Sequence, residues 1–170
     1  YNHGAYLSDA IDSVLGQTYP NLEIIVVDDG STDETKRVAA RYGDKIVYVW
    51  QHNQGLCAAR NRGIDESHGT YVGLLDADDM LEQDYCEWLV SFLLAFPNAQ
   101  GITCGYRFVD ENNQLLPQVG TRCVDGDELY DTLLDGNFLV PESIVVQRRC
   151  YGSARQFYTA ITACEDWEML

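Results

Sequence analysis

Two clusters of aspartates follow apolar stretches of the sequence: Asp28 with Asp29, and Asp76 with Asp78 and Asp79. Two unit charges about 5 Å apart repel each other by roughly 3 kcal/mol at an effective dielectric constant near 20. The second cluster, with three carboxylates in a short loop, is therefore costly unless a cation or bound protons offset its charge. Mg²⁺ and Mn²⁺ commonly bind one or two carboxylates together with phosphate oxygens. This cluster is a candidate site for such an ion, and a solvated acidic loop is the alternative.

The sequence as a whole is strongly acidic. Its 170 residues include 27 Asp and Glu against 11 Lys and Arg, which gives a formal net charge of −16 and a pI near 4.2. Such a surface repels phosphate backbones and anionic lipid head groups, so binding to nucleic acid or to a membrane through a basic face is disfavoured. An anionic ligand would need neutralisation by something other than Lys and Arg, and a divalent cation is the obvious candidate.

Six cysteines and three histidines are scattered along the chain without a C-x-x-C motif or a tight cluster. This pattern supports neither a structural zinc site nor a disulfide framework, and it predicts reduced thiols in a cytosolic protein. The longest apolar run, residues 88–96, is interrupted by Ser91 and is far shorter than the ~20 residues that a membrane-spanning helix needs. We therefore expect no membrane span within this sequence.

Apolar periodicity and turn residues predict alternating helices and strands. The predicted helices cover residues 7–15, 32–42, 56–67, 82–96 and 125–134. The predicted strands cover residues 22–27, 45–51, 70–75, 101–109 and 143–147, with a turn at 110–113. Ser31 and Glu34 have the spacing of a capping box at the start of the second helix. This alternation is typical of an α/β fold with a mostly parallel sheet and helices on both faces.

Both aspartate clusters come directly after predicted strands. Ligands of open α/β sheets bind beyond the carboxyl ends of the strands, so both clusters are expected at the ligand-binding edge. Residues 28–31, Asp-Asp-Gly-Ser, also suit a turn followed by a helix cap, and this alternative stays open. Because the chain opens with a helix rather than a strand, we expect a first strand just upstream. The prediction is one domain over residues 1–170 that is truncated at both ends.

A set of short motifs occurs in order along the chain. They are Tyr1-Asn2, residues 17–20 (Gln-Thr-Tyr-Pro), 26–33 (Val-Val-Asp-Asp-Gly-Ser-Thr-Asp), 53–61 (Asn-Gln-Gly, then Ala-Ala-Arg-Asn), 75–79 (Leu-Asp-Ala-Asp-Asp) and 165–167 (Glu-Asp-Trp). As an ordered set they closely resemble the inverting family 2 glycosyltransferases, which have the GT-A fold. The resemblance implies a Rossmann-like sheet flanked by helices. It places nucleotide-sugar binding in residues 1–100 and the acceptor side in residues 101–170.

The resemblance implies a role for each matching residue on the donor side. Tyr1 matches the aromatic side chain that packs on the nucleotide base. Asp29 matches the acid that accepts a hydrogen bond from the base, with Asp28 beside it. Arg60 matches a basic residue near the nucleotide, and Asp76 belongs to the D-x-D region, one side of which binds the ribose.

The remaining implied roles concern the metal ion and the reaction. Asp78 or Asp79 would ligate the Mg²⁺ or Mn²⁺ ion that bridges the diphosphate, and the sequence leaves open which of the two does so. Asp166 matches the catalytic base, and residues 165–166 also suit the first turn of a helix. A direct displacement assisted by one base needs no enzyme nucleophile and implies inversion at the sugar carbon.

The resemblance also implies partners and a location. The donor would be a nucleotide-diphosphate sugar, with UDP as the expected nucleotide. The acceptor would be a saccharide or lipid-linked hydroxyl in the synthesis of cell-surface polysaccharide or glycolipid. The expected location is the cytoplasm, with the inner face of the membrane as an alternative for the full-length protein.

Two other functions remain as alternatives. Asp76 and Asp78 after an apolar strand also resemble the acid pair of haloacid-dehalogenase-type phosphatases. That phosphoryl-transfer chemistry needs a downstream lysine, whereas the sequence contains only Lys36 and Lys45. The other alternative is a nucleotide- or metal-binding module without activity. The motifs of serine hydrolases, P-loop proteins and dinucleotide-binding proteins do not occur in the sequence.

Overall fold

Helices and strands alternate through the first hundred residues of the computed structural model, which describes residues 1–120, 128, 131–133, 139–152 and 157–159. The α-helices among them are α1 (Leu7–Leu15), α2 (Thr35–Ala39), α3 (Leu56–Glu66) and α4 (Tyr85–Ala95). The strands are β1 (Ile25–Asp28), β2 (Val47–Trp50), β3 (Tyr71–Gly73), β4 (Gly101–Thr103), β5 (Tyr106–Val109), β6 (Leu115–Gly120) and β7 (Ile144–Gln147).

The β-branched run that forms β1 pairs in parallel with β2, so the carboxyl ends of the two strands lie side by side. Asp28, the last residue of β1, is opposite Trp50, the last residue of β2. Apolar side chains of α1 and α2, including Leu7 and Val38, form a buried cluster against this pair. The loops that follow β1 and β2 are therefore neighbours.

A second sheet has β7 between β3 and β4 and antiparallel to both, so β3 and β4 run in the same direction. Leu89 and Leu93 of α4 pack against Val145 of β7. On α3, Cys57 and Ile64 belong to a buried cluster that includes Val72 of β3. These contacts hold the end of β3, where the acidic loop begins, against α3.

The α/β class predicted from the sequence is confirmed, as are the helices predicted at residues 7–15 and 56–67 and the strand at 143–147. The strand pairing adds detail that local patterns do not contain. Among the described strands, β1 and β2 pair in parallel, whereas β7 returns from late in the chain to pair antiparallel with β3 and β4, and β5 and β6 form a hairpin.

The second helix begins later than predicted, and the expected capping box does not form. Instead of Ser31, the Asp33 carboxylate accepts hydrogen bonds from the backbone N–H of Thr35, at 3.0 Å, and from its hydroxyl. The Ser31 hydroxyl oxygen accepts the N–H of Asn2 at 2.9 Å. After α2 the chain continues as the 3₁₀ turn Ala40–Lys45, so the prediction of one longer helix is wrong.

The single strand predicted over residues 101–109 is also wrong, because β4 and β5 are separate strands in different sheets. The turn predicted at residues 110–113 is confirmed and closes the hairpin of β5 and β6. Of the helix predicted at residues 125–134, residues 128 and 131–133 are described and are helical. The other residues of that prediction lie outside the described part of the chain.

The described residues contain no helix that is long and apolar enough to cross a membrane. Among these residues, Cys86, Cys104 and Cys150 are free cysteines. Burial raises the pKa of the Cys86 thiol to about 11, so this thiol is protonated at neutral pH. Cys123 and Cys164 lie outside the described residues.

Candidate active site

A cavity of about 1130 Å³ lies between β1 and β3, and its polar end is lined by residues that the sequence predicts to bind a nucleotide. These residues are Tyr1, Asp28, Asp29, Arg60 and Asp76. The apolar part of the wall comes from β1, β3, α1 and α4. The structure therefore brings together the loop after β1, the start of the chain, α3 and the loop after β3.

Asp28 lies at the end of β1 with 2% of its surface exposed, and its carboxylate is bonded within the protein. One oxygen accepts the backbone N–H of Ser31 at 2.8 Å, and the other accepts the hydroxyl of Tyr48 on β2. Burial by itself would raise the pKa of this carboxyl group. The hydrogen bonds from Tyr48 and Ser31 outweigh burial and lower the pKa of Asp28 below its usual value. Asp28 therefore stabilises the turn after β1 in its ionised form.

Asp29 is 3% exposed and ties the loop after β1 to the loop after β2. Its Oδ1 atom accepts the side-chain amide of Gln51 at 2.7 Å and the backbone N–H of Gln54 at 3.0 Å. Its Oδ2 atom accepts the backbone N–H of Gly55 at 2.8 Å. Because α3 begins directly after Gly55, this carboxylate also fixes the start of the helix that carries Arg60.

The first residues of the chain are held against the loop after β1. The N–H of Asn2 donates to the Ser31 hydroxyl oxygen at 2.9 Å, and the Asn2 side-chain oxygen accepts the N–H of Thr32 at 2.8 Å. These bonds place Tyr1, which is 56% exposed, in the wall of the cavity. An exposed aromatic ring in this position offers a surface on which a base can stack.

Arg60 connects α3 to the loop after β3. Its Nη2 atom donates to both carboxylate oxygens of Asp76, at 3.2 and 3.1 Å. The Arg60 side chain is 7% exposed, against 35% for that of Asp76, and the guanidinium lies 5.4 Å from the centre of the Phe157 ring. This pair fixes one basic and one acidic side chain at the polar end of the cavity.

Asp78 and Asp79 occupy the remainder of the loop after β3, where negative charges accumulate. The Asp78 side chain is half exposed, and its Oδ1 atom lies 3.7 Å from Nδ1 of His3. Burial raises the pKa of Asp79, and the charges of Asp78 and Asp76 raise it further. A carboxyl pKa that is raised by neighbouring carboxylates marks a place where a bound cation would be stabilised.

Glu142 faces the same acidic loop and was not singled out in the sequence. It precedes β7, which packs beside β3, and so comes close to the loop from a distant part of the chain. Burial and then the charge of Asp76 raise the pKa of Glu142 to about 8. Its only sequence signal is a position just before the predicted strand at 143–147, because its proximity to Asp76 depends on the pairing of β7 with β3.

No group of three or more His, Cys, Asp or Glu side chains within the described part of the chain is arranged to hold a metal ion. A magnesium or manganese site that takes one or two carboxylates from the protein and its other ligands from phosphate oxygens does not require such a group. The carboxylates of Asp78 and Asp79 are oxygen ligands of the type that these ions prefer.

The predicted catalytic base, Asp166, lies outside the described residues, as do its neighbours Glu165 and Trp167. Its role therefore remains a prediction from the sequence. The described residue nearest to it along the chain is Thr159.

The sequence matches a protein-family profile described as "Glycosyl transferase family 2" over residues 1–155. It is 41% identical over 131 residues to an uncharacterized glycosyltransferase of Rickettsia prowazekii, a match that covers 76% of this chain and 40% of that protein. It is 35% identical over 138 residues to the glycosyltransferase GlyA of Streptococcus pneumoniae, which covers 79% of this chain and 19% of GlyA. The chain thus spans well under half the length of these relatives.

The fold is similar to that of TarS from S. aureus. A crystal structure of TarS 1-349 in complex with UDP superposes with a TM-score of 0.78 and 20% sequence identity, covering 99% of this chain and 51% of that one. The structure of the same protein in complex with UDP-GlcNAc gives a TM-score of 0.76 at 18% identity, covering 98% and 49%. At this level of identity the likeness shows the fold, and it confirms the expected GT-A architecture.

Proposed function

The chain belongs to glycosyl transferase family 2, and on this premise we propose that it transfers a sugar from a UDP-sugar to an acceptor hydroxyl with inversion at the sugar carbon. The main observation in support of the proposal is the cavity, whose polar end is lined by Tyr1, Asp29, Arg60 and Asp76. The TarS complexes with UDP and UDP-GlcNAc, which have the same fold, support UDP as the nucleotide. The acceptor would be a saccharide or lipid-linked hydroxyl in polysaccharide or glycolipid synthesis.

The positions of the side chains support the proposed donor-binding roles. Tyr1 would stack on the base, and Asp29 would orient the base beside the loop that it already stabilises. Asp28 would stabilise this loop through its hydrogen bond with Tyr48. Asp76, which is paired with Arg60, would bind the ribose. The carboxylates among these residues are already bonded within the protein, Asp28 and Asp29 by N–H and O–H donors and Asp76 by Arg60.

Asp78 and Asp79 would hold a Mg²⁺ or Mn²⁺ ion against the diphosphate. Burial is the largest cause of the raised pKa of Asp79, and the charges of Asp78 and Asp76 add to it. This second contribution supports the role, because neighbouring carboxylates favour a positive charge at that position. When bound, the ion would supply the positive charge that stabilises a departing diphosphate. Among the described residues that line the cavity, Arg60 is the one Lys or Arg, and it is already paired with Asp76.

Asp166 would accept the proton of the acceptor hydroxyl as that oxygen attacks the sugar carbon. A general base of this kind typically contributes 10²–10⁴-fold to the rate. Because the attack is direct, an α-linked donor would give a β-linked product. No covalent bond to the enzyme is needed.

The experiment that tests this proposal combines sugar transfer with nucleotide binding. Asp166→Asn keeps the size of the side chain but cannot accept the proton, so we expect transfer to fall by roughly 10²–10⁴-fold while UDP affinity changes little. Asp44→Asn, at an exposed position in the 3₁₀ turn after α2, is the control and should leave both unchanged. Near-normal transfer by Asp166→Asn, or a product that retains the donor stereochemistry, would contradict the mechanism. UDP binding without any transfer by the full-length protein would favour a non-catalytic binding module.

A further inference from the structure

Asn61 follows Arg60 on α3, and none of the roles described above uses it. Its side-chain amide bonds to both backbone groups of Phe157. The Nδ2 atom donates to the Phe157 carbonyl at 2.8 Å, and the Oδ1 atom accepts the Phe157 N–H at 2.8 Å. The two residues are 96 positions apart in the sequence. A single side chain of α3 therefore fixes the backbone of a segment from late in the chain.

The Phe157 side chain is held separately, by apolar packing. It is 5% exposed and belongs to the buried cluster with Cys57 and Ile64 of α3 and Val72 of β3. Apolar burial is non-directional, so it holds the ring without setting the orientation of the backbone. Hydrogen bonds depend strongly on direction, and two bonds to the same residue fix that orientation. The bonds of Asn61 therefore determine the direction in which the chain continues from Phe157.

The same segment lies beside a pair of side chains from the candidate site. The Arg60 guanidinium is 5.4 Å from the centre of the Phe157 ring and donates to both carboxylate oxygens of Asp76. Two neighbouring residues of α3 thus contact two different parts of the site. Arg60 contacts the loop after β3, and Asn61 contacts the segment that continues toward Asp166. Through these contacts α3 connects the donor side of the site with the late segment.

We propose that Asn61 is a positioning residue for sugar transfer, whose two bonds to Phe157 set the placement of the segment that leads to Asp166. The inference rests on the proposed function, in which Asp166 is the general base. A general base must lie within hydrogen-bond reach of the proton that it accepts, and a displacement of about 1 Å can cost about 10²-fold in rate. Loss of the two bonds therefore slows transfer and leaves the donor-binding side chains in place.

The competing role for Asn61 is stability alone. In that case the loss of its bonds would lower the Tm, and transfer would fall only with the fraction of folded protein. Gln147 on β7 offers a matched control for this role. Its side-chain amide is also half-buried, and it donates to the backbone carbonyl of Ala99, which is distant in sequence, at 2.8 Å. Gln147 has no part in the proposed reaction.

A double-mutant cycle in the full-length protein tests the proposal. The kcat of transfer, the Kd for UDP and the Tm are measured for wild type, Asn61→Ala, Asp166→Asn, the double variant and Gln147→Ala. Asn61→Ala is expected to lower kcat about 10–100-fold and to change UDP affinity by less than about twofold. Because Asn61 acts through the segment of Asp166, its substitution should lower kcat by less than about threefold in the Asp166→Asn background. Gln147→Ala should lower the Tm by a few °C with kcat near wild type.

Hydrogen exchange at the Phe157 amide gives a second measurement that does not involve sugar transfer. This N–H is bonded to Asn61 Oδ1, so Asn61→Ala should speed its exchange at least about tenfold relative to wild type and Gln147→Ala. Unchanged exchange would show that Asn61 does not hold this segment.

Three kinetic results overturn the proposal: a near-normal kcat for Asn61→Ala, an equal loss of kcat in the wild-type and Asp166→Asn backgrounds, or an equal loss in Gln147→Ala. In each of these cases Asp166→Asn alone is still impaired, so the proposed function stands. Near-normal transfer by Asp166→Asn alone contradicts the proposed base and with it the role of Asn61. Failure of the inference is therefore distinguishable from failure of the proposed function.

Discussion

Two acidic regions, one in the loops after β1 and β2 and the other in the loop after β3, differ in how their charge is balanced. In the loops after β1 and β2, Asp28 and Asp29 accept hydrogen bonds from N–H and O–H donors, and the pKa of Asp28 is lowered. In the loop after β3, burial and neighbouring carboxylates raise the pKa of Asp79, and Glu142 responds in the same way. The same functional group is thus part of the scaffold in the first region and a source of excess negative charge in the second.

This difference predicts that the carboxylates of the first region stabilise the fold, whereas those of the second region serve ligand binding. Removing a carboxylate from the first region leaves buried donors without acceptors, which lowers the free energy of unfolding. Removing one from the second relieves repulsion and should cost little in the absence of ligand. Substitutions that compare the two regions therefore test whether hydrogen bonding decides the role of each aspartate.

The largest effect on stability is expected for Asp29→Ala, which removes the acceptor of the Gln51, Gln54 and Gly55 donors. Unsatisfied buried donors cost about 1–3 kcal/mol each, and water will satisfy some of them, so we expect a loss of about 3 kcal/mol. For a chain of this size the Tm should fall by about 6–12 °C in thermal denaturation followed by circular dichroism. Asp44→Ala is the exposed control, and a similarly small change in both variants would remove the distinction between the regions.

Tyr48→Phe should have a smaller effect, about 1–2 kcal/mol, because it removes one hydrogen bond to the charged carboxylate of Asp28. The lowered pKa of Asp28 contributes stability that is present above the ordinary value of 3.8 and is lost as the pH falls through the folded-state pKa. The difference in Tm between wild type and Tyr48→Phe should therefore shrink in acid. Tyr85→Phe, which loses a hydrogen bond to the backbone carbonyl of Glu142, should show a difference that does not depend on acid pH. A constant difference for both variants would argue against an ionised Asp28.

Glu142→Gln should change how the stability of the protein depends on pH, and it should leave the highest stability nearly unchanged. The pKa of Glu142 is raised from 4.5 to about 8 in the folded protein, so the folded state binds the proton more tightly than the unfolded state. Stability should therefore fall as the pH rises between these two values, by a few °C in Tm. With chelator present, we expect most of this fall to be absent in Glu142→Gln and preserved in Glu111→Gln, at an exposed residue of the β5–β6 turn. Identical pH profiles for all three proteins would contradict the raised pKa.

Local patterns were sufficient to predict the α/β class and the helices at residues 7–15 and 56–67, because apolar periodicity and turn residues are properties of short segments. They could not predict that β7 lies between β3 and β4, since that pairing depends on packing between distant parts of the chain. The same limitation explains the missing capping box. Asn2, which is remote in sequence, bonds Ser31, and Asp33 takes over the start of α2.

Sequence motifs predicted that several of the candidate residues lie together, but they did not predict the bonds that each of these residues makes. Ordered motifs pointed to Tyr1, Asp29, Arg60 and Asp76, and all of them line one cavity. The bonds that distinguish Asp28 and Asp29 from Asp79 come from β2 and the loop after it, which no spacing rule specifies. Glu142 approaches the acidic loop through the pairing of β7 with β3, so its part in the charge imbalance required the structure.

The proposed function requires the loop after β3 to bind the diphosphate of a nucleotide through a divalent cation. The most direct test is the Tm of the protein with UDP, measured with Mn²⁺ or with excess chelator, for wild type and for Asp79→Asn and Asp78→Ala. At a hundredfold excess of ligand over Kd, binding stabilises a protein by about 2.7 kcal/mol, so the wild-type Tm should rise by several °C with Mn²⁺ present. We expect no rise in chelator, and little rise in either variant, with the Tm of ligand-free Asp79→Asn close to that of wild type. An equal rise in chelator, or an undiminished rise in both variants, would contradict it.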